Sequence, residues 1–390
     1  MQNIQDYDSH YDAVIVGARC AGAATAMLLA RAGANVLLID RQQYGTDVVS
    51  THALMRAGVM QLARWGLLPE IIAAGTPPVT RTAFHYGQET VPVTIKSEHG
   101  VDFLCAPRRT VLDRVLVDAA RRAGADVRHG VSLTDLQYGL DGQVTGALLK
   151  DGAGGRAGVR ADLVIGADGR QSVVARRVNA RFNVKGTHSS GYVYGYYEGL
   201  PDDGYHWYFE NGTAAGAIPT NNGEHCVFAG VHRDQFTNTF RGDLMRGFRR
   251  MAAANSPKLA ESLDNGQLVG RLRGFSGGVG YLRQCHGPGW ALVGDAGYFK
   301  DPLTAHGITD AFRDAELLSR AVLAGTTRSL GHYQDERDAL SRPLFEVTNT
   351  IASFEWDLDQ IKQHHGRLID AMKAEADHIA NFSAIDSLAA

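Results

Sequence analysis

Hydrophobic and polar positions follow two different periods along this chain. Apolar runs at residues 12–17 and 36–39 predict short buried strands, and the Ala/Leu-rich stretch from about Ala21 to Ala32 predicts a helix that ends at Gly33. This strand–helix–strand order predicts a βαβ unit at the start of a sheet.

The same patterns recur in the first and last thirds of the chain. Apolar runs predict further strands at residues 126–130, 144–149, 162–165 and 290–293. Helical spacing of apolar residues predicts helices at about residues 58–74, 109–123, 308–324 and 333–383. These regions are typical of a Rossmann-type α/β layer.

The middle of the chain has a different pattern. Short runs predict consecutive strands at residues 192–197, 206–210, 214–218 and 226–231. Asn-Gly pairs at 211–212 and 222–223 separate successive runs, and Asn-Gly is a strong hairpin signal. We therefore predict an antiparallel meander over residues 185–285, with one helical insertion near residues 243–254.

Composition narrows the range of partners. The 390 residues carry a formal net charge of −3 and no Lys/Arg-rich block, which argues against a nucleic-acid partner. No apolar run reaches the roughly 18 residues of a membrane span. The polar start from Met1 to Asp12 has no signal-peptide core, so we expect a cytoplasmic protein. The four cysteines have no CxxC spacing, so neither a metal site nor a disulfide framework is expected.

The first motif that carries chemistry is GARCAG at residues 17–22, between the first predicted strand and helix. It matches the dinucleotide-binding pattern G-x-G-x-x-G at its first and third glycine. Gly17 permits a tight turn, Gly22 permits close helix–strand packing, and the helix N-terminus offers N–H groups to a pyrophosphate. Arg19 takes the second place, so its side chain must either swing away from the phosphates or pair with them. Asp40 lies 23 residues after Gly17, where an acidic side chain accepts the ribose hydroxyls.

Two further motifs each follow a predicted strand. Residues 166–172 read GADGRQS, and residues 294–296 read GDA, with DPLTAHGI at 301–308. Each alone could be a turn with a helix-capping Asp. The three motifs in this order form a combined signature.

In these motifs the sequence resembles the FAD-dependent monooxygenases of the para-hydroxybenzoate hydroxylase fold, the class A flavoprotein hydroxylases, over about residues 11–325. The resemblance implies a mixed α/β (α+β) fold: a Rossmann-type FAD-binding domain with an inserted antiparallel β-sheet substrate domain and C-terminal helices. The implied boundaries are 11–184 and 286–330 for the FAD-binding domain, 185–285 for the substrate domain and 331–390 for the C-terminal helical region.

The resemblance also implies roles for individual residues. Asp168 would lie beside the pyrophosphate and the path of the nicotinamide nucleotide, and Asp295 would accept from the ribityl hydroxyls. Pro302 would lie over the flavin ring, and Gly307 and Ile308 would direct N–H groups at its N1–C2 edge, where a helix N-terminus stabilises negative charge. Arg56 and Arg109 would contact FAD, although each could also be a solvated helix arginine. The full implied cofactor-binding set is Gly17, Arg19, Cys20, Ala21, Gly22, Asp40, Arg41, Thr51, Arg56, Arg109, Asp168, Gly169, Asp295, Pro302, Gly307 and Ile308.

Two histidines are catalytic candidates. His52 falls where the chain should pass near the flavin ring and could carry a proton or bind substrate, or it could be structural. His306 stands where the family often has Gln or Lys, and Thr304 stands where it commonly has glycine, which puts this part of the match in doubt. Cys20 lies at a helix N-terminus, where a thiol pKa falls, but is interpreted as a packing residue. Aromatic side chains on the middle strands could roof the site and would suit an aromatic or polycyclic substrate: Tyr192, Tyr194, Tyr196, Trp207 and Phe209.

The resemblance implies a single-component monooxygenase. NADPH or NADH would reduce FAD, and O2 would form a flavin C4a-(hydro)peroxide that hydroxylates or epoxidises a small-molecule substrate. A halogenase is disfavoured because GAIP at residues 216–219 stands where a W-x-W-x-I-P motif is expected, and a geranylgeranyl reductase-like enzyme would favour a more apolar middle domain. A structural or non-redox FAD and an external flavin reductase also stay open. The apolar stripe of the C-terminal helices could pack on the core or on a second subunit of a homodimer.

Overall fold

The computed structural model describes residues 9–383. The polar start before residue 9 and the end of the predicted C-terminal region, residues 384–390, lie outside the described residues. Among the helices from residue 9 to residue 383, none is both long enough and apolar enough to cross a membrane.

Strands and helices alternate in the first part of the chain, and helices dominate its end. The strands, in chain order, are β1 (His10–Val16), β2 (Val36–Asp40), β3 (Arg81–Tyr86), β4 (Glu89–Thr94), β5 (Asp126–His129), β6 (Val131–Tyr138), β7 (Val144–Asp151), β8 (Arg156–Gly166), β9 (Phe182–Lys185), β10 (Ser190–Glu198), β11 (Tyr205–Glu210), β12 (Thr213–Pro219), β13 (His225–His232), β14 (Gln267–Phe275), β15 (Tyr281–Arg283), β16 (His286–Gly287), β17 (Trp290–Leu292) and β18 (Tyr298–Phe299). The helices are α1 (Cys20–Arg31), α2 (Arg56–Arg64), α3 (Leu68–Ala73), α4 (Arg109–Arg122), α5 (Val173–Arg177), α6 (Arg233–Phe240), α7 (Leu244–Asn255), α8 (Pro257–Asn265), α9 (Gly307–Leu323), α10 (Thr327–Ile351) and α11 (Leu358–Ala380).

The first sheet confirms the predicted Rossmann-type layer. Five strands run parallel in the order β17–β8–β1–β2–β5, and β16, β7 and β6 extend the sheet in antiparallel pairings. β1, β2 and the end of β8 are apolar and almost fully buried because helices cover the sheet, as expected for parallel strands. The carboxyl ends of β1, β8 and β17 therefore meet at one edge, and each of the three motifs follows one of these ends.

The second sheet differs from the predicted meander. Its seven strands lie in the order β14–β10–β13–β12–β11–β3–β4, so β10 pairs with β13 and not with the next strand along the chain. β3 and β4, which the sequence analysis did not assign, complete the sheet, and β3 pairs with β11 in parallel. Both predicted Asn-Gly turns are present, between β11 and β12 and between β12 and β13. Three helices, α6 to α8, occupy the region where we predicted one.

The two faces of the second sheet bury different partners. One face packs its aromatic residues towards the first sheet and the C-terminal helices, and the other face packs under α6, α7 and α8. α11 contributes to both large cores, because Ile361 and Leu368 belong to the core of the second sheet while Ala376 and Ile379 belong to that of the first. The C-terminal helices therefore tie the two sheets together on one side of a cavity that lies between them.

Candidate active site

A cavity of about 290 Å³ lies between the two sheets. Its first wall comes from the ends of β1, β8 and β17 and from the N-termini of α1, α4 and α9. Its second wall comes from the inner face of the seven-stranded sheet, and the loop at residues 49–53 closes one side. The members of the predicted cofactor-binding set that line it are Arg19, Cys20, Ala21, Thr51, Arg109, Gly169, Asp295, Pro302, Gly307 and Ile308.

Backbone geometry explains both glycines of the first motif. Gly17 has φ +108°, which side chains rarely adopt, and a Cβ at Gly17 would lie 2.4 Å from the Ala167 carbonyl oxygen. A Cβ at Gly22 would lie 1.8 Å from the Gly17 carbonyl oxygen. α1 can therefore approach β1 and β8 only without side chains at these two positions. The helix begins at Cys20 with no acidic residue in its first turn, so its unpaired N–H groups are free to meet an anion.

Asp40 and Arg19 shape the outer end of this motif. The Asp40 carboxylate accepts from the backbone N–H of Ala18 at 2.8 Å and of Gln42 at 2.7 Å, and it lines a small hollow beside the cavity. The Arg19 guanidinium turns to Asp113 (2.8 Å) and to the Thr46 carbonyl (2.7 Å). Of the two predicted alternatives, the structure therefore places Arg19 in protein contacts and leaves the helix N-terminus unobstructed.

Asp113 organises the start of α4 and α1, and the sequence analysis missed it. Its carboxylate accepts from Arg19, from Nε and Nη2 of Arg109 at 3.0 and 3.1 Å, and from the Cys20 thiol at 3.3 Å. Burial raises the pKa of Cys20 well above its ordinary value, which agrees with a packing role and overrides the expected effect of the helix N-terminus. The spacing of four residues between Arg109 and Asp113 on one helix was the available signal.

Asp295 presents a carboxylate to the cavity from the turn after β17. Its side chain has no hydrogen-bond partner among residues 9–383, and burial raises its pKa to about 6 against the lowering effect of Arg170. Tyr281 fixes the backbone here by donating to the Asp295 carbonyl at 2.6 Å. A buried acceptor without a protein donor is suited to a ligand that brings hydroxyl groups.

The N-terminus of α9 faces the same cavity. Ala305 is in the left-handed region at φ +51°, and α9 then begins at Gly307 with no side-chain cap. The N–H groups of its first turn therefore have no partner within the helix. Pro302 and Leu303 line the cavity just before this turn.

His52 reaches the cavity from the opposite side. Its Nε2 lies 3.2 Å from the Tyr196 hydroxyl, and its Nδ1 is buried with no partner among the described residues. Burial, together with the positive charges of Arg108 and Arg109, lowers the pKa of His52 to about 3, so the ring is neutral near neutral pH. Its backbone φ of +45° is unusual for a histidine, and such conformations concentrate at functional sites.

The second wall is aromatic. Tyr192, Tyr194 and Trp207 line the cavity as predicted, and Phe228 and Phe275 join them. The other two predicted aromatic residues pack behind this wall: Tyr196 lies under the Arg108 guanidinium, 3.5 Å from its ring centre, and Phe209 contacts His365. Most of the side chains on this wall are therefore aromatic.

Besides Gly17, Gly22 and Asp40, four residues predicted for the site do not line the cavity. Arg56 donates to the carbonyls of Val101 (2.6 Å) and Lys96 (2.8 Å), which corrects the predicted reach to the phosphates. The Arg41 side chain is exposed after β2. Asp168 accepts from the N–H of Val173 at 2.6 Å at the start of α5, which is the helix-capping role that the sequence left open.

The fourth is His306, which lies behind the wall instead of on it. Its Nε2 is 2.5 Å from Glu375 on α11, and both side chains are essentially inaccessible to solvent. This position corrects the prediction that His306 contacts the reacting groups. Glu375 had no motif around it, and nothing local in the sequence indicated the pair.

The residues around the cavity fit FAD. The N-terminus of α1, made accessible by Gly17 and Gly22, suits a pyrophosphate, and Asp40 lies next to it at the end of β2, where an acidic side chain accepts ribose hydroxyls in sites of this type. Asp295 offers an unpartnered acceptor between this end and the N-terminus of α9. These groups follow one another along a single wall, as an elongated dinucleotide requires.

Comparison with known proteins agrees with this fit. Residues 10–348 match a family described as FAD binding domain. The chain is 26% identical over 353 residues to a digeranylgeranylglycerophospholipid reductase of Methanocella arvoryzae, covering 86% of this chain and 85% of that protein. It is 30% identical over 201 residues to aklavinone 12-hydroxylase DnrF of Streptomyces peucetius subsp. caesius, covering 47% of this chain and 41% of that protein.

Solved structures share the fold at low sequence identity. The flavin-dependent brominase Bmp2 has a TM-score of 0.79 at 18% identity, with 97% of each chain covered. PqsL of Pseudomonas aeruginosa, a probable FAD-dependent monooxygenase, has a TM-score of 0.76 at 19% identity, with 94% of this chain and 100% of that chain covered.

Proposed function

This chain belongs to the FAD binding domain family, and from that premise we propose that it is a monooxygenase acting on an aromatic small molecule. Membership makes it an FAD-dependent oxidoreductase. The finer proposal adds NADH or NADPH as reductant, O2 as oxidant and the transfer of one oxygen atom to a carbon of the substrate.

One observation carries this proposal: an aromatic wall faces the N-terminus of α9 across the cavity. Tyr192, Tyr194, Trp207 and Phe228 stand opposite Gly307 and its neighbours. Stacked and edge-to-face contacts with such a wall favour a flat unsaturated ring. The few polar groups on this side favour a ligand with one or two hydroxyl or carbonyl groups rather than a strongly charged one.

The protein's part in such a reaction is binding, orientation and control of charge. Bound FAD would supply electron transfer from the nicotinamide and the activation of oxygen. The N-terminus of α1 and Asp40 would hold its adenosine half, Asp295 its ribityl chain, and the N–H groups of α9 the edge of the ring that becomes negative on reduction. Leu303 and the aromatic wall would exclude water from the reacting centre.

His52 is the proposed group for a substrate hydroxyl. Because its ring is neutral near pH 7, it can accept or donate one hydrogen bond without placing a positive charge beside an aromatic ligand. Tyr196 holds Nε2 of the ring, and His52 lies on the cavity wall. This arrangement supports a role in orienting the substrate and in holding its hydroxyl proton.

A second function is favoured by the relatives. The match to the reductase of M. arvoryzae covers most of this chain, and that protein is named for a reduction, not an oxygen transfer. An apolar cavity would also accept an isoprenoid chain. The hydroxylase DnrF and the probable monooxygenase PqsL support the first proposal, but over a shorter segment and at lower identity respectively.

The deciding experiment is a reaction under ¹⁸O2 after anaerobic reduction with NADH or NADPH. Naphthols and hydroxyanthraquinones serve as aromatic probes, and a prenylated quinone serves as the isoprenoid probe. A hydroxylated aromatic product carrying one ¹⁸O supports the monooxygenase. Formation of a saturated prenyl product without O2 supports the reductase instead. A protein that binds no FAD when reconstituted contradicts both.

A further inference from the structure

A buried cluster of charged side chains joins the start of α9 to the C-terminal helix α11. Glu375 on α11 lies at its centre. Its Oε2 is 2.5 Å from His306 Nε2, and its Oε1 accepts from Arg313 at 2.6 Å. Arg313 also donates to Asp310 at 3.2 Å and to Asp314 at 2.7 Å. The side chains of this cluster are 5% exposed or less, so their interactions are poorly screened by water.

This cluster reaches the cavity. Asp310, in the first turn of α9, lines the cavity and accepts from Lys300, which also lines it. The chain of contacts therefore runs from Glu375, which is remote from the cavity, through Arg313 to Asp310 and Lys300 at its wall. A change of charge at Glu375 would therefore change the electrostatic potential at that wall.

His306 gives Glu375 a second route to the cavity. It is the residue before Gly307, and its carbonyl accepts the N–H of Asp310 at 3.0 Å, the first hydrogen bond of α9. The N–H groups of Gly307 and Ile308 project from the same backbone turn. Because Glu375 fixes the His306 ring, it also fixes the position from which these N–H groups point into the cavity.

A metal ion is a poor explanation for the cluster. His306, Asp310 and Glu375 have ligand atoms close enough to share an ion. However, Lys300 and Arg313 already contact the two carboxylates, and a further cation beside them would be repelled. The neighbouring His306 and Arg313 lower the pKa of Glu375 despite its burial, so the Glu375 carboxylate is ionised and already balances the charge of the Arg313 guanidinium.

Glu375 also lies outside the part of the chain that matches the family, which ends at residue 348. We propose that Glu375 is a positioning residue, which acts through His306 and Arg313 to set the geometry and the electrostatic potential of the α9 N-terminus. This inference rests on the proposed binding of FAD beside α9. With this role, α11 contributes to the geometry of the site in addition to packing against the core.

The test varies the charge of residue 375, the length of its side chain, and the position of a Glu–His pair relative to the cavity. Glu375→Gln removes the charge at nearly constant shape, and Glu375→Asp keeps the charge but shortens the side chain. The control is Glu336→Gln, because Glu336 also pairs with a histidine of α11, His378, at 2.6 Å, but both are 40% exposed and do not line the cavity. The measurements are the midpoint potential of bound FAD, the dissociation constant of FAD, and thermal unfolding of the FAD-free protein.

We expect Glu375→Gln to raise the midpoint potential, because reduction adds negative charge near a site that has lost one. We expect Glu375→Asp to weaken FAD binding about tenfold and to change the midpoint potential less than Glu375→Gln does. A tenfold loss is the lower end of the range seen when a residue that supports a metal ligand is replaced. Glu336→Gln should leave both values at those of the unaltered protein.

The inference is overturned if Glu375→Gln and Glu375→Asp, both folded in the thermal assay, bind FAD with unaltered affinity and potential. It is equally overturned if Glu336→Gln shifts the potential as much as Glu375→Gln. Failure of the unaltered protein to bind FAD would instead contradict the proposed function. A variant of Glu375 that is unstable without FAD is judged by its potential after reconstitution, since a packing role alone would leave that potential unchanged.

Discussion

The two walls of the cavity are built on different principles. The first wall consists mainly of backbone: the N–H groups of α1 and α9, held close by Gly17 and Gly22, with Asp295 as an acceptor between them. The second wall consists mainly of aromatic side chains on the seven-stranded sheet, and His52 reaches the cavity beside it from the loop at residues 49–53. The first wall therefore tolerates few residue types at its key positions, whereas the second can change its ligand by exchanging side chains without disturbing the backbone.

With the proposed function, this difference would separate the cofactor from the substrate. A common cofactor requires the same backbone approach in every member of a family, and the relatives of this chain include a reductase and a hydroxylase. Substitutions on the first wall should therefore act on FAD binding or on folding. Substitutions on the second wall should act on turnover and leave FAD in place.

The largest effect is expected from a single methyl group on the first wall. In Gly22→Ala the new Cβ would lie 1.8 Å from the Gly17 carbonyl oxygen, so α1 must move away from β1. Because overpacking of a rigid contact typically costs about 1–3 kcal/mol and a backbone contact cannot repack, we expect a loss at the upper end of that range. FAD binding should be abolished, as measured by its absorbance after gel filtration.

The matched control adds the same methyl group in open space. Gly366→Ala, in α11, meets no atom within 4 Å, and we expect it to raise the free energy of unfolding by up to about 1 kcal/mol through helix propensity. Equal behaviour of the two variants would contradict the backbone account of the first wall.

The next effect is expected at Asp295. Replacing it with alanine removes a charged acceptor, and such hydrogen bonds contribute about 1.5–3 kcal/mol, so FAD affinity should fall by about 10- to 100-fold. The pKa of Asp295 in the folded protein is raised to about 6, so the carboxylate becomes protonated as the pH falls through that value. FAD affinity should therefore decrease below about pH 6 in the unaltered protein, but not in Asp295→Asn. If FAD affinity depends on pH in the same way in both proteins, Asp295 does not make the ribityl contact.

A smaller and different effect is expected at His52 on the second wall. His52→Gln should retain FAD and lower kcat/KM about tenfold, the cost of one buried hydrogen bond to substrate. Tyr196→Phe removes the hydrogen-bond partner of His52 Nε2 and should lower kcat/KM by less than about tenfold. Loss of FAD from either variant would show that the two walls are not independent.

The pH dependence of stability provides a second test of His52. Its pKa is about 3 in the folded protein and 6.5 in a model peptide, so the folded state disfavours the protonated ring. The contribution of the neutral ring to stability is therefore present above pH 6.5 and is lost as the pH falls towards 3. His52→Gln should lose less stability than the unaltered protein over this window in urea unfolding.

The smallest effect is expected at Cys20, although it lines the first wall. Cys20→Ala removes one buried sulfur and should cost about 1 kcal/mol, with no loss of FAD. The thiol of the folded protein should react slowly with a disulfide reagent, because burial raises its pKa. Rapid reaction of the thiol, or loss of FAD from Cys20→Ala, would show that Cys20 has a role in the site beyond packing.

The first sheet and its three motifs could be predicted from sequence because each depends on neighbours in the chain. A tight turn requires Gly17, an apolar run predicts β8, and the residue that follows a parallel strand lies at a known edge of the sheet. The same logic placed Gly307 and Ile308 at the N-terminus of a helix. The FAD-binding family and the mixed α/β fold follow from these local patterns, whereas the division of the chain into the four predicted regions stays a proposal.

Only the tertiary structure decided which side chains meet. The position of Glu375 beside His306 joins residues 69 apart in the chain, and Arg19 pairs with Asp113, which lies on another helix 94 residues later. β3 enters the second sheet in parallel with a strand more than a hundred residues later. No periodicity encodes such pairs, since the free energy that forms them comes from burial and charge compensation in the assembled fold. The sequence thus determined the strand ends and helix N-termini at which we propose that a dinucleotide binds, and the packing of distant helices and strands decided what surrounds them.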